Sequence, residues 1–379
     1  MSKAEVRYLH RPRFGGDGFP RIAIIGGRGA IGSLVLTQLR SRRDLRLVIM
    51  GRDLEAARKS AAWLAATGDP TTAPPEARRL DVIGNEDDAV AVLSDCDVVV
   101  NASGPSWRTS VPAARAARRA GAHFIDIGGY DPLSALTRPW ARELEQEGKA
   151  FIGSAGWMPG LSEVFTRHVL EQAECEGERA REVELACGAR DRWSDGSVSD
   201  MLWHLKHHGT TGWFEKGAWS SVSPWRSTRR PRFPDPVGAE RTFAVYNGQF
   251  AEWAAQRPDL RLVTLLGLLD GRTKLSLLII KSFLPGHHAR AVGLLRSAME
   301  RNCDRRGPLG MLYVTVRRAD GTAAATGTLI ESRNQWITAL VAAKTVEFLL
   351  AGRLRSGAHG LGDVAPAGDF LQALSESGV

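Results

Sequence analysis

The sequence is short of the features that mark secreted, membrane-spanning or cysteine-metal proteins. Four of its 379 residues are cysteine (Cys96, Cys175, Cys187 and Cys303), and no two form a CxxC pair. This argues against a disulfide framework and against a cysteine-built zinc site, and it fits a reducing compartment. The opening stretch, MSKAEVRYLHRPRFGGDGFP, has no apolar core and does not read as a secretory leader. The most apolar stretch, LRLVTLLGLLDGRTKLSLLIIKSFL, is broken by Asp270, Arg272 and Lys274, so it cannot cross a bilayer as one helix. Internal repeats and low-complexity tracts are lacking too. The expectation is a soluble cytoplasmic protein with no membrane partner.

What is present is globular. A hydrophobic fraction of 43% and a charged fraction of 24% exclude the disordered and fibrous classes, and 379 residues suggest two domains or one large one. The formal charge of +8 comes mostly from scattered arginine. Its densest runs are Arg40, Arg42, Arg43 and Arg46, then Arg226, Arg229, Arg230 and Arg232. Neither run carries the aromatic and glycine interleaving of a single-strand binder, so no nucleic-acid partner is expected; small polyanions remain attracted.

The first half alternates strand and helix patterns. RIAIIG, LRLVIM, RRLDV, DVVVNA, HFIDI and KAFIG are short apolar runs, and helical periodicity fills the gaps between them. This rhythm predicts a doubly wound parallel sheet with helices on both faces. Between the first strand and helix, Gly27-Arg28-Gly29-Ala30-Ile31-Gly32 fits G-x-G-x-x-G in the context that gives the motif meaning. Gly27 is assigned the tight turn, Gly29 the close approach of a pyrophosphate, and Gly32 the helix–strand contact. The helix N-terminus offers unpaired N–H groups to phosphate. The alternative is a glycine-rich turn without a ligand.

The end of the second strand bears on cofactor choice. An NAD site usually places a carboxylate there, whereas this strand ends Met50-Gly51-Arg52. Arg52, with Arg28 as a second contact, favours NADP over NAD; the competing reading has Arg52 solvated and Asp53 on the ribose. Asp81 and Val82 close the third strand, Asp81 either touching adenine or capping the next helix. Asn101-Ala102-Ser103-Gly104-Pro105 closes the fourth strand and should border the cofactor.

DVVVNASGP, then AARRAGAHFIDIGG, then GSAGWMPGLSE resemble the nucleotide-binding half of the saccharopine dehydrogenase-like oxidoreductases. The likeness runs from Arg21 to Leu170 and returns more loosely in TALVAAKTVEFLLAG, HGLGD and GDFLQALSESG. The resemblance implies a Rossmann domain over 21–160 and 333–379 after an extension over 1–20. An inserted α+β domain built on an antiparallel sheet, over 161–332, would bind substrate and form a homodimer. It further implies NAD(P)H-dependent reduction of an imine, formed from a carbonyl and an amine, or the reverse oxidation, on a small amine- or carboxylate-bearing metabolite. The residues after Leu161 agree. LRLVTLLGLLDGRTKLSLLII reads as two strands around Asp270-Gly271, HHARAVGLLRSAMERN as an amphipathic helix, and MLYVTVRR with TAAATGTLIES as a hairpin around Ala319-Asp320-Gly321.

Hydride transfer is the nicotinamide's chemistry, so the protein is read for groups that favour a protonated imine. Asp126, at the fifth strand's end, matches the family's strand-end aspartate that borders the substrate; its bland role is capping the following turn. Tyr130 is a proton-donor candidate or a wall residue. The backbone at Gly156 and Trp157 should face the nicotinamide, with Trp157 as an apolar wall or as interface packing. The segment 190–232 holds Trp193, Trp203, Trp213, Trp219 and Trp225 beside His204, Lys206, His207 and His208. His204 and His208 share a helical face, but without a third ligand no metal site is expected. Lys206 and Arg192 are the cations offered to a substrate carboxylate. Two other functions fit the same residues: an NADP-binding sensor without catalysis, and a synthase that uses a bound dinucleotide transiently.

Overall fold

The computed structural model describes residues 18–379 except 70, 130, 176–178 and 284–287, with 281–283 described by their backbone alone. The chain divides into two compact units, one running to Leu161 and resuming over Gln335–Val379, the other Ser162–Asn334.

The first unit is a parallel seven-stranded sheet. Its strands are β1 (Arg21–Ile25), β2 (Arg46–Gly51), β3 (Glu76–Arg79), β4 (Val98–Asn101), β5 (His123–Asp126), β6 (Ala150–Gly153) and, from the returning chain, β14 (Gly357–Gly360). They lie in the order β14-β6-β5-β4-β1-β2-β3. The apolar runs make these strands because both faces are covered: all four residues of β4 and of β5 are buried. Helix α1 (Ala30–Leu39) buries Gly32, Val35, Leu36 and Leu39, the spacing of a single helical face. Helix α2 (Leu54–Thr67) starts at Asp53, whose carboxylate accepts from the Ala56 N–H, and α3 (Glu86–Leu93) at Asn85. Helix α4 (Ser106–Arg119) buries Thr109, Ser110, Ala113, Ala114, Ala116 and Ala117. These small side chains let it lie close to the strands. The strand order reverses between β1 and β4, which places the ligand crevice at their carboxyl ends.

The second unit carries a seven-stranded sheet of β7 (Glu182–Arg190), β8 (Gly212–Glu215), β9 (Ala218–Ser221), β10 (Phe243–Val245), β11 (Arg261–Leu266), β12 (Leu309–Arg317) and β13 (Ala323–Glu331). The order is β13-β12-β7-β11-β8-β9, with β10 paired to β11. Helices Asp195–His207, Gly271–Phe283 and His288–Arg306 meet around Val198, Leu277, Ile280, Val292, Leu295 and Met299.

Three expectations are corrected. Asp270-Gly271 is not a hairpin turn: Asp270 accepts from the Thr273 N–H and hydroxyl and so starts the helix Gly271–Phe283. The second sheet is mixed, because β11 runs parallel to β7. The third strand ends at Arg79, so Asp81 and Val82 lie in the turn beyond it. The hairpin at Ala319-Asp320-Gly321 forms, with Gly321 at φ +83°.

His123 ties β5 to β6 by accepting the Ala150 N–H on Nδ1 at 3.1 Å. It is 2% exposed, and burial holds its pKa down to about 3 from 6.5. A histidine kept neutral in this way contributes stability that is whole above pH 6.5 and falls away as pH drops toward about 3. Urea unfolding of the first unit should show up to about 2 kcal/mol lost between pH 6.5 and 5 through this group. His123→Gln should flatten that part of the pH profile; an unchanged slope would remove His123 from acid sensitivity.

Candidate functional site

The glycine turn is built by backbone contacts that leave no room for side chains. A Cβ on Gly32 would lie 2.3 Å from the Gly26 carbonyl oxygen, and one on Gly27 would lie 2.9 Å from Ile49 Cγ2. The residue that bends the chain is Gly26, at φ +76°, and its Cβ would lie 2.8 Å from the Ser103 backbone. The tight-turn role assigned to Gly27 therefore belongs to Gly26, one residue ahead of the fingerprint. The Gly26-Gly27 doublet was the signal. Helix α1 starts from Gly29 with no side-chain cap and no acidic residue in its first turn. Arg28, Gly29 and Ala30 are exposed, and Ile31 is half-buried. Uncapped N–H groups at an open helix start are suited to an anion.

Arginines surround the neighbouring strand ends. Arg52 follows β2 and is exposed. Arg79 ends β3 opposite Gly51 and donates from Nε to the Arg52 carbonyl at 3.3 Å. Arg28 stands 3.5 Å from Asp53. The Asp53 carboxylate is thus divided between the α2 cap and Arg28. Arg79 is a cation that sequence reasoning missed, because its place beside Arg52 depends on β2–β3 register. Asp81 accepts from the Ile83 N–H at 3.2 Å, a turn cap, and Val82 is buried.

At the ends of β4 and β5 lies a buried polar network. Asn101 is 2% exposed and Asp126 1%. Asp126 Oδ1 accepts from the N–H groups of Gly128 at 2.9 Å and Gly129 at 2.5 Å, and Oδ2 accepts from Asn101 Nδ2 at 2.7 Å. Asn101 Oδ1 accepts from the Ser103 N–H and hydroxyl, and Thr109 closes the loop by donating to the Ser103 carbonyl at 2.9 Å. Burial raises the Asp126 pKa, against the lowering effect of the Gly129 N–H and the Asn101 amide. Both oxygens are spent inside the protein, so the geometry supports the capping role for Asp126 over contact with a reacting atom. Ala102 donates its N–H to the Ile25 carbonyl, and Gly104 is exposed beyond it.

The loop after β6 packs on the same end of the sheet. Ala155 donates to the Asp126 carbonyl at 2.8 Å, and a Cβ on Gly156 would lie 2.8 Å from the Ile127 carbonyl. Trp157 is 4% exposed, so it is packed inside rather than standing as an open wall. Tyr130 lies outside the described residues. In the second unit Arg192 donates to Asp304 at 2.7 Å from an exposed position, and Lys206 is exposed on the helix Asp195–His207. His204 donates from Nε2 to the Tyr246 carbonyl at 3.1 Å, and His208 stacks on the Tyr246 ring with centroids 4.2 Å apart.

Residues 22–156 match the family model described as the saccharopine dehydrogenase NADP binding domain. Among solved structures, saccharopine dehydrogenase (L-Glu forming) from Saccharomyces cerevisiae is similar over 95% of this chain and 98% of its own, at 13% identity and a TM-score of 0.68. Amine dehydrogenase from Mycobacterium smegmatis is similar over 94% of this chain and 98% of its own, at 11% identity and a TM-score of 0.50. No curated protein sequence matches. The family match covers the nucleotide-binding residues 22–156, and the likeness of the whole chain to the solved structures is one of fold. The glycine turn, uncapped helix start and arginines of this chain form a cradle that fits a dinucleotide.

The Asn101–Asp126 pair yields a sharp prediction. In Asp126→Asn the new amide must face the Asn101 amide, donor to donor, and Asn101 cannot turn over without losing Ser103. Urea unfolding should show a loss of about 1–3 kcal/mol. The exchanged pair Asn101→Asp with Asp126→Asn keeps the bonds to Ser103, Gly128 and Gly129 and the one across the pair, gives up only the long 3.5 Å contact from Asn101 to Thr109, and should recover most of it. If the double variant is no more stable than the single one, the network does not hold this loop.

Proposed function

We propose that this protein is an NADP-dependent oxidoreductase that reduces an imine of a small amine- or carboxylate-bearing metabolite to an amine, or runs the reverse oxidation. The observation that carries the reading is the uncapped start of α1 beside Arg28, Arg52 and Arg79. The helix start suits the pyrophosphate, and the arginines suit a 2′-phosphate better than a bare ribose, since Asp53 is already engaged. When bound, the nicotinamide supplies or accepts the hydride. The chain's own part is to hold and orient. Gly29 lets the dinucleotide approach the backbone, the Ala102–Gly104 loop borders it, and Gly156 lies on the side of the ring. Asp126 acts here as a positioning residue through Asn101 and Ser103. The carbon–nitrogen bond as target is supported by the family and by the names of the two similar structures, saccharopine dehydrogenase and amine dehydrogenase. Lys206 remains the candidate cation for a substrate carboxylate. No helix among the described residues is long and apolar enough to cross a membrane. A reducing, cytoplasmic compartment fits the unpaired cysteines.

The test combines binding and turnover. Wild type should bind NADPH more tightly than NADH by calorimetry and oxidise it when offered a matching amine and carbonyl pair. Arg52→Asp should shift the affinity ratio toward NADH by about tenfold or more, because it removes a charge-assisted hydrogen bond to the 2′-phosphate and sets a like charge beside it. An unchanged ratio would take Arg52 out of the site, and failure to bind either nucleotide would end the proposal.

We further propose a homodimer formed through the second unit. The helix Gly271–Phe283 packs Leu277 and Ile280, half-buried, against its neighbours yet exposes Leu275 at 55% and Leu278 at 60%, one turn apart. Two leucines exposed a turn apart on one helix face are suited to a second cover. Sedimentation at micromolar concentration should give a species of twice the chain mass, shifted toward monomer by Leu275→Glu with Leu278→Glu. A single wild-type species near 41.2 kDa would refute it.

A further inference from the structure

The second unit gathers positive charge around a cavity that the oxidoreductase reading does not use. The bridges Arg229–Thr242 and Arg232–Ala239 set the register of a short antiparallel ribbon. In that register Arg230 stands directly opposite Arg241, an arrangement of like charges that destabilises a strand pair. Both side chains are exposed, and neither makes an ion pair among the described residues. Arg230 and Arg241 line a cavity of about 330 Å3 with Lys274, Arg306, Glu240 and Asp270.

The anions in the cavity are already spoken for. Glu240 is paired with Arg306, and Asp270 with Arg305 while it also caps the helix Gly271–Phe283. Among the described residues Arg230, Arg241 and Lys274 are left without an ion-pair partner of their own. Lys274 donates to the Arg241 carbonyl at 3.2 Å, which anchors its ammonium at the foot of the ribbon. Burial, and then the charge of Arg241, lower the Lys274 pKa. The start of the helix Gly271–Phe283 opens on the same cavity through Gly271. The surrounding frame is firm: Asn302 holds the Leu268 carbonyl at 3.0 Å, and Arg229 is locked to Glu184.

We infer that this cavity is an anion site for a small phosphorylated ligand, with Arg230 and Arg241 gripping the phosphoryl oxygens from two sides and Lys274 beneath them. Three unmatched cations call for more than the single charge of a carboxylate, and a phosphoryl group carries about −1.5 to −2 at neutral pH. Guanidinium forks suit its oxygens. The volume, about 330 Å3, suits one phosphoryl group with a small body.

Calorimetry on the full chain with inorganic phosphate as the probe decides the matter. Wild type should bind it with an affinity that falls as salt rises. Arg230→Gln with Arg241→Gln should weaken binding at least about tenfold. Arg119→Gln, at a surface arginine of the first unit paired with Glu86 and Asp87, should leave that binding unchanged. Without phosphate, the double variant should melt no lower than wild type, because a repulsion has been removed. Absence of binding, binding that survives the double substitution, an equal loss in Arg119→Gln, or a lower melting temperature of the double variant would each overturn the site. Tighter binding of a single-stranded oligonucleotide, lost in the same variant, would overturn it in favour of a nucleic-acid surface.

Discussion

The nucleotide-binding unit depends on one contact between two stretches of backbone. Helix α1 can leave the end of β1 at its observed angle because Gly32 presents a bare Cα to the carbonyl of Gly26. Gly26 in turn presses on Ser103, so the first strand's turn and the fourth strand's loop share one position. Ser103 is held by Asn101, and Asn101 by Asp126. Three strand ends are thereby fixed relative to one another by groups that carry no apolar surface. The hydrophobic core beneath gives the sheet its stability, and this chain of polar and steric contacts gives its rim a shape.

Charge is treated differently at the two sides of that rim. Toward β2 and β3 the arginines stay in water, where their hydration costs nothing and their field reaches a ligand. Toward β4 and β5 a carboxylate is taken out of water and compensated by two N–H groups and an amide. The first arrangement suits recognition, since an exposed guanidinium can meet a ligand without breaking structure. The second suits rigidity, since a buried charge tolerates few geometries.

The first unit was legible because each of its central strands is a short apolar run bounded by turn residues, and because glycine spacing has a mechanical meaning. What escaped reading depended on distance along the chain. Arg79 reaches Arg52 through β2–β3 register, and Asp126 is spent on Asn101 twenty-five positions earlier. The stretch from Gly271 to Phe283 was misread because an unbroken apolar run fits strand and helix alike, and Asp270 followed by glycine serves a turn or a helix cap equally. The parallel pairing of β7 with β11 leaves no local mark, since their connection spans several other elements. Strand β14 reads Gly-Ala-His-Gly, a sequence without strand propensity that is extended because β6 offers it an edge.

That last strand has a consequence for assembly in time. Gly357 pairs with Ala150 across roughly two hundred residues of intervening chain. During synthesis the first six strands emerge long before their seventh, and the whole contiguous second unit is made in between. Until Gly357–Gly360 arrives, β6 is a bare edge with its hydrogen-bonding groups open to any extended segment nearby. The sheet therefore closes late, through a contact of high sequence separation and correspondingly slow formation. Its vulnerability to mispairing is greatest while the nascent chain is still attached to the ribosome.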